Sequence, residues 1–410
     1  MANVLVYSTP ARGHLYPIMD TALVLARRGH SVHVRTIAAE VGVVESTGLR
    51  ASAVAAAIVQ RVLDDWQVRS PRESLARGLQ TFIDRAPLEI DDIRRAIEDD
   101  HPDLLLVDTN AWGAQAAAES SGIPWAVWHT YPLPFPSKEA PPFGPGLRPA
   151  RGPLGRLRDR LLQPLVIGPL QQFLPQLNRV RVKAGVSPLA HIQELFQRPP
   201  LLLHMTAEPF EYPRGDWPEN VRLVGPGLWS PPAEAPPWLS EGPTPIILVT
   251  CSTEFQDDGA LVDAALAAFG ADANIRLICT TAGVDPARFR APPGVVVERF
   301  VPHALLLPRA CVVVCHGGMG ITQRALASGV PPCVVPWGRD QLEVGRRVME
   351  SRSGALLPRR KLTAARLRDA VGEARGNAGG AARIGAAFAN AGGPDRAATL
   401  LEALACQAQR

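Results

Sequence analysis

The sequence has few of the features from which metal sites and disulfide frameworks are built. It contains six cysteines, all in the second half of its 410 residues, and it has no C-x-x-C pair and no D-x-D triplet. Most of the cysteines lie inside apolar runs, as buried free thiols do. We therefore expect neither a zinc site nor a metal cofactor.

Long hydrophobic runs and a strong excess of one charge are also missing. The first apolar run, residues 4–8, is too short for a secretory signal or a spanning helix. A net charge of +4, from 43 basic and 39 acidic residues, does not indicate a nucleic-acid partner. The sequence thus predicts a cytoplasmic protein, long enough for two domains with separate cores.

Strands and helices are predicted to alternate in both halves of the chain. The predicted strands are 4–7, 31–36, 103–107, 125–129, 246–249, 276–280, 295–300 and 311–314, and the predicted helices are 17–28, 111–121, 261–269 and 323–327. Continuous apolar strands between helices are typical of parallel sheets covered on both faces. We expect an α/β fold of two doubly wound, Rossmann-like domains facing each other across a cleft.

Proline clusters predict where these domains begin and end. Residues 1–230 form the expected first domain, 231–245 a proline-rich linker, and 246–390 the second domain. A last helix over 391–410 is expected to pack back on the first domain. Ligands of such sheets bind at the carboxyl ends of the strands.

The most informative motif is the glycine-rich stretch 315–322, which reads CHGGMGIT. It follows an apolar strand and precedes a helix, an arrangement whose free N–H groups and helix dipole favour phosphate. His316 either donates a hydrogen bond to a diphosphate or makes only a backbone hydrogen bond at the strand end. Helix dipole, N–H groups and His316 would replace a metal ion there.

Two polar residues follow strands of the first domain. His14 lies in the loop after the first strand, and Asp108 closes the strand over 103–107. A carboxylate bonded to one ring nitrogen would fix the histidine tautomer and raise the basicity of the other nitrogen. The alternatives are a loop histidine without a catalytic role and an aspartate that only caps the next helix.

Taken together, these residues resemble the family 1 glycosyltransferases, which have the two-domain GT-B fold. The resemblance covers nearly the whole chain and is most specific over 300–341. The residues that match the family's motifs there are Phe300, Pro302, His303, 316–320, Ala325, Leu326, 329–331, Pro336, Asp340 and Gln341. Gly13, His14 and Pro17 match a further motif in the first domain.

The resemblance implies an inverting, metal-independent transfer of sugar from a nucleoside diphosphate sugar, with His14 as base and Asp108 as its partner. It implies that Phe300 stacks on the nucleobase while the Val301 backbone and His303 contact base or ribose. The implied diphosphate ligands are Thr253, His316, Gly318 and the N–H groups of Met319, Gly320, Ile321 and Thr322. Asp340 and Gln341 would bind the sugar hydroxyls.

Two positions depart from the family's pattern. Ile321 stands where a hydroxyl usually meets a phosphate, and the Thr322 hydroxyl or backbone N–H groups are expected to replace it. Arg324 stands where many members have a glutamate that grips the ribose. Both uridine and thymidine donors therefore stay open.

The acceptor is expected in the first domain, around residues 60–90 and 130–180, with Trp112 and Tyr131 as contacts. An apolar aromatic or polyketide-like natural product is the first interpretation, with a monomeric or homodimeric enzyme. The basic, leucine-containing segment 148–183 keeps open a lipid acceptor at a membrane surface. A catalytically silent auxiliary protein, or a sugar-nucleotide hydrolase or epimerase, also stays open.

Overall fold

The computed structural model describes residues 1–68, 70–240 and 245–408, which form two domains around two parallel sheets. The strands of the first sheet are Asn3–Tyr7 (β1), Ser31–Thr36 (β2), Arg50–Ala53 (β3), Leu104–Asp108 (β4), Trp125–His129 (β5), Leu201–His204 (β6) and Val221–Leu223 (β7). Their spatial order is β3-β2-β1-β4-β5-β6-β7, and all neighbouring pairs are parallel.

Helices cover both faces of this sheet. They are Arg12–Arg27 (α1), Ala38–Glu45 (α2), Ala56–Val59 (α3), Pro71–Asp100 (α4), Trp112–Ser121 (α5), Pro153–Gln171 (α6) and Leu174–Ala184 (α7). Successive residues of β1 point to opposite faces, so Val4 joins one apolar cluster and Leu5 the other. This two-sided burial explains why the strands read as unbroken apolar runs.

Helix α1 begins five residues earlier than the predicted helix over 17–28, and it ends at Arg27. Pro17 therefore lies inside the helix and forfeits one intrahelical hydrogen bond. A proline inside a helix costs about 3 kcal/mol. The helix forms nevertheless because Leu15, Ile18 and Met19 are buried against the sheet, each stabilising it by roughly 1.5–3 kcal/mol.

The second sheet has six strands. They are Ile246–Thr250 (β8), Arg276–Thr280 (β9), Val296–Glu298 (β10), Ala310–Cys315 (β11), Pro332–Val334 (β12) and Ala355–Leu356 (β13), in the spatial order β10-β9-β8-β11-β12-β13. The helices of this half are Ala260–Phe269 (α8), His303–Leu306 (α9), Met319–Ala327 (α10), Gln341–Glu350 (α11), Ala364–Gly376 (α12), Ala378–Asn390 (α13) and Gly393–Ala408 (α14).

Two parts of the chain connect the domains: the linker that joins the two sheets, and the last helix, α14. Part of the proline-rich linker, residues 241–244, lies outside the described residues, but Leu239 just before it is buried in the second domain. Helix α14 packs on α1 of the first domain, where Arg28 donates to Asp395 and Glu402. In the described part of the chain, no helix is long and apolar enough to cross a membrane.

Helix α11 of the second domain holds a loop and a carboxylate of the first. Glu343 accepts hydrogen bonds from the backbone N–H groups of Gly144 and Gly146, both at 2.8 Å. Arg347 donates to Glu211, with distances of 2.8 and 3.1 Å. These buried polar contacts set the two strand-end edges against each other across one cleft.

Candidate active site

His14 lies in the first turn of α1 and not, as predicted, in a loop before a helix. Its Nδ1–H donates to the carboxylate of Asp108, at 2.9 Å from Oδ2 and 3.1 Å from Oδ1. Strands β1 and β4 are neighbours, and Tyr7 pairs with Val107, so the residues after them share one edge of the sheet. The structure thus brings together the two residues that the sequence proposed as a pair.

The alternative role of Asp108, as a cap of the next helix, is not what the structure shows, since the N-cap of α5 is Ala111 and no side chain caps it. Asp108 Oδ1 accepts the backbone N–H of Asn110 at 2.7 Å and so shapes the turn before α5. The carboxylate is fully buried, and the imidazole is 17% exposed. A buried carboxylate with two donors around it is fixed in place, so it orients the histidine ring as well as the turn.

Asn110 is a further neighbour of His14 that the sequence reasoning missed. Its side-chain amide donates to His14 Nε2 at 3.3 Å, while its oxygen accepts the hydroxyl of Tyr131 at 2.9 Å. An acceptor role for Nε2 matches the tautomer in which Nδ1 carries the proton toward Asp108. The signal available in the sequence was only that Asn110 follows Asp108 at the same sheet edge.

The environment of His14 favours the protonated ring. Burial alone lowers the pKa of His14, but the charge and hydrogen bond of Asp108 outweigh burial and raise that pKa above its ordinary value. The negative charge of Asp340, a residue of the second domain, acts in the same direction. A raised pKa gives Nε2 a stronger affinity for a proton, which a general base requires.

The two residues predicted to contact an acceptor behave differently. Tyr131 lies beside the base, with 6.3 Å between its ring centre and that of His14. Trp112, however, is only 6% exposed and packs edge-on against Phe82 in the core. The contact of Trp112 with an acceptor stays a prediction, since the indole lies against Phe82 of α4, inside the region 60–90 where the acceptor is expected.

The glycine-rich stretch forms a cradle at the end of β11. Gly317 has φ of +93°, and a Cβ there would lie 2.6 Å from Cγ1 of Val334. A Cβ on Gly318 would overlap Nε2 of His316, whose imidazole leans over that residue. Only glycines allow this backbone path under the imidazole.

Helix α10 begins at Met319, four residues before the predicted helix over 323–327. The N–H groups of Met319, Gly320 and Ile321 are those that a helix leaves without internal partners. The N–H of Thr322 is bonded to the Gly318 carbonyl at 3.1 Å. Thr322 is also fully buried against Cys315, so neither its N–H nor its hydroxyl replaces the missing phosphate ligand at Ile321.

The histidines of the second domain have lowered pKa values. Burial lowers the pKa of His316 to about 4, and the nearby charge of Arg339 acts in the same direction. Burial likewise lowers the pKa of His303 to about 3, and its Nε2 is 3.0 Å from the Thr280 hydroxyl. Both rings are therefore neutral at pH 7, and His316 can contribute an N–H donor without a positive charge.

The other predicted donor residues lie around the same strand ends. Phe300 follows β10 and is 53% exposed, so its ring can stack, whereas Val301 beside it is buried. Thr253 is exposed in the loop after β8, next to the end of β11. Burial raises the pKa of Asp340, which precedes α11.

Gln341 differs from the expectation that it faces a sugar. It is 2% exposed, its oxygen accepts the N–H groups of Trp337 and Gly338, and its amide donates to Gln256 at 2.8 Å. Each of these bonds lies within the second domain. In this arrangement Gln341 fixes the loop that carries Asp340.

The same loop is tied to the first domain by a salt bridge that no sequence pattern suggested. Arg339 donates to Asp65 through two parallel hydrogen bonds of 2.8 Å. Next to this pair, Trp66 meets Phe255 edge-on, with 4.8 Å between ring centres. We call these four residues the cross-cleft clasp.

Arg324, the unusual residue at the ribose position, is engaged between the domains. Its guanidinium donates to the carbonyls of Leu228 and Trp229 at 2.8 and 3.0 Å. The N–H of Leu228 donates to Asp20 of α1. Arg324 thus fastens α10 to the chain that leaves the first domain.

Comparisons with known proteins agree with this architecture. Residues 263–404 match the family model described as Erythromycin biosynthesis protein CIII-like, C-terminal domain. Over 391 residues the chain is 34% identical to 4'-demethylrebeccamycin synthase of Lentzea aerocolonigenes, which covers 90% of this chain and 91% of that protein.

Similar solved structures include the glycosyltransferase of kitacinnamycin, with a TM-score of 0.73, 24% identity and 98% of both chains covered. Another is the glycosyltransferase VinC in complex with dTDP, with a TM-score of 0.70, 23% identity, and 99% and 100% coverage. These matches, with two facing Rossmann-like domains, define the GT-B class and confirm the predicted fold. The chain belongs to the family 1 glycosyltransferases, of the type that tailors natural products.

Proposed function

We propose that this glycosyltransferase moves a sugar from a nucleoside diphosphate sugar to a nucleophilic atom of an apolar natural product, with inversion and without a metal ion. The observation that carries the proposal is the His14–Asp108 pair, in which Nε2 is the acceptor nitrogen and lies at the edge that faces the second domain. That domain offers helix N–H groups at Met319 and Gly320 for the diphosphate.

In the proposed reaction, His14 Nε2 accepts the proton of the acceptor nucleophile. The nucleophile forms a bond to the anomeric carbon on the face opposite the diphosphate. The bond between that carbon and the phosphate oxygen breaks, and the nucleoside diphosphate leaves with the electron pair. The cradle N–H groups and the His316 N–H stabilise the new negative charge, while Asp108 stabilises the protonated His14.

The donor would lie along the strand ends of the second domain. Phe300 would stack on the base, with the Val301 backbone and His303 at its edge or at the ribose. Thr253 would contact a phosphate, and Asp340 would accept from sugar hydroxyls. Gln341, bonded within its loop, would hold Asp340 in position rather than bind the sugar through its own oxygen.

Arg324 bears on the choice of nucleotide. A carboxylate at this position could accept protons from ribose hydroxyls, but a guanidinium is a donor only. We therefore expect little preference for ribose, so that TDP binds at least as tightly as UDP. The dTDP in the complex with VinC is consistent with a thymidine donor for a protein of this fold.

The acceptor would enter from the first domain beside Tyr131. In the first domain an open pocket of about 500 Å³ is lined by Phe135, Pro164 and Ile167 and by polar residues that include His191 and Glu194. Such a volume suits a drug-sized ligand. The printed name of the 34% identical relative, 4'-demethylrebeccamycin synthase, supports an antibiotic-type product.

A donor panel followed by a transfer assay tests this proposal. Thermal unfolding with UDP, TDP and their sugars should reveal one donor that stabilises the protein by about 2.7 kcal/mol at a hundred times its Kd. With that donor and a library of aromatic and polyketide aglycones, mass spectrometry should detect a glycoside, with or without EDTA. Retention of the anomeric configuration in the product, read from its proton coupling, would refute the mechanism.

A further inference from the structure

Helix α6 has an apolar face that nothing in the described chain covers. None of its 19 residues is buried. Leu154, Leu157, Leu161 and Leu165 are 82%, 53%, 65% and 70% exposed. Large apolar side chains scattered singly on a surface are ordinary, but four on one helix are not.

These leucines form one stripe. On an ideal helix with 3.6 residues per turn, the four positions fall within about 80° of one another. Arg158 and Arg160 lie on opposite sides of the stripe, at about 55° and 105° from its centre. The helix therefore turns this apolar stripe toward solvent, while Leu170 on its opposite side packs against the core of the first domain.

The surroundings of this leucine stripe are basic. The segment 148–183 holds eight arginines and lysines but one acidic residue, Asp159, which Arg158 neutralises at 2.8 Å. Arg148 and Arg151 at the start of the helix are 67% and 87% exposed and reach Glu350 only at 3.5 and 3.6 Å. Arg181 is buried and paired with Glu119, so the positive charge beside the exposed leucines comes from Arg148, Arg151, Arg156 and Arg160.

We propose that the leucine stripe of α6 docks on an anionic lipid surface. An interfacial helix buries its apolar face at the level of the head groups, while flanking arginines bind the lipid phosphates. A second copy of the chain is a poorer occupant, because pairing two such helices would bring like charges together. The contact is superficial, since no described helix is long and apolar enough to span a bilayer.

The position of the helix gives this contact a use. Pro164 and Ile167 of α6 also line the open pocket of about 500 Å³. With α6 docked, an apolar molecule dissolved in the lipid next to the helix would reach that pocket without crossing water. The docking itself does not depend on the proposed sugar transfer, and it can be measured without donor or acceptor.

Vesicle co-sedimentation with the full chain tests the proposal. The wild type should sediment with vesicles of phosphatidylcholine and phosphatidylglycerol but not with phosphatidylcholine alone. Raising NaCl from about 0.1 M to about 1 M should release most of it, because the Debye length falls from about 10 Å to about 3 Å. The double variant Leu157→Glu/Leu161→Glu should bind at least about tenfold more weakly, since two leucines no longer enter the lipid.

Val182→Glu is the matched control, because Val182 is 61% exposed on α7, beside Arg181 and Lys183 but away from the stripe. It should bind like the wild type, and all variants should keep the wild-type melting temperature. Absence of wild-type binding, or equal binding by the double variant, would overturn the proposal. A wild-type dimer that the double variant dissociates, without vesicle binding, would assign the stripe to a second copy instead.

Discussion

His14 and His316 each follow a parallel strand, β1 in the first domain and β11 in the second, yet their environments favour opposite protonation states. Asp108 raises the pKa of His14 despite burial, whereas burial and Arg339 lower the pKa of His316 to about 4. The first ring is prepared to accept a proton, and the second is a neutral hydrogen-bond donor. The comparison shows how the charged neighbours of a buried histidine set its protonation state.

The two edges also differ in how far they are assembled without substrate. On the first, Asp108, Asn110 and Tyr131 already bond with one another and with the base. On the second, the first N–H groups of α10 have no helical partner to bond. We infer that the base is preorganised, while the cradle is completed by the diphosphate.

The largest expected effect comes from removing the base. His14→Ala should lower kcat by at least about a thousandfold, since general base catalysis contributes about 10²–10⁴-fold. The Kd for the nucleoside diphosphate should change less than about twofold, because the diphosphate ligands all belong to the other domain. We expect an activity assay to show almost no sugar transfer, and calorimetry to show that the variant still binds the nucleoside diphosphate.

His316→Ala is the matching variant in the second domain, and we expect it to affect donor binding rather than proton transfer. It should weaken nucleoside diphosphate binding by about 10- to 150-fold, since a hydrogen bond to a charged group contributes about 1.5–3 kcal/mol. If His14→Ala weakened donor binding as much as His316→Ala does, the division of roles between the domains would be wrong.

Removing the charge of Asp108 should have the next largest effect. As His14 works deprotonated, kcat/KM of the wild type should rise with pH through a pKa above the ordinary 6.5. In Asp108→Asn the attraction is lost but burial remains, so the pKa falls and the acidic limb moves to lower pH. The plateau should fall by roughly 10²–10⁴-fold because the tautomer is no longer fixed. If the acidic limb of the pH profile did not move in Asp108→Asn, Asp108 would not control the pKa of His14.

A smaller effect is expected from the floor of the cradle. Gly318→Ala places a methyl group against His316 and should displace its imidazole, weakening diphosphate binding by about tenfold. Gly372→Ala in α12 is the control, since a Cβ there meets no atom within 4 Å. That variant should bind normally and gain up to about 1 kcal/mol of stability. Equal calorimetric affinities for both variants would remove His316 from the diphosphate site.

The smallest effect should come from the cross-cleft clasp. Asp65→Asn leaves Arg339 without its carboxylate, so the loop with Asp340 is held less firmly and kcat/KM for the donor should fall about fivefold. Asp64→Asn removes a 46% exposed partner of Arg77 next to it and should change little. If kcat/KM for the donor fell equally in Asp65→Asn and Asp64→Asn, the cross-cleft clasp would have no specific role in donor use.

The sequence predicted the framework well because the strands are continuous apolar runs, a strong signal of burial on both faces. The predictions from the sequence failed for helix boundaries, for the direction of side chains and for contacts between segments far apart in the chain. Pro17 suggested a helix start, but burial of Leu15 and Ile18 carries α1 through it. Trp112 was expected to contact an acceptor because it follows Asp108, and the sequence did not indicate that its indole is buried against Phe82.

The site itself was predictable where motifs are local and not where distant segments meet. The glycine-rich stretch and His14 are visible in short windows. Asp65 and Arg339 are 274 residues apart, and neither has a local pattern that indicates the other. Arg324 was recognised as a departure, but its bonds to Leu228 and Trp229 depend on how the domains pack.

The most direct test of the contrast between the two histidines is an NMR titration of the ring nitrogens, with His14→Ala and His316→Ala used for assignment. The structure predicts that His14 titrates above pH 6.5 in the wild type and at a lower pH in Asp108→Asn. His316 should stay neutral down to about pH 4 in both proteins. A His14 that titrates at or below 6.5, unmoved by Asp108→Asn, would contradict its assignment as the base.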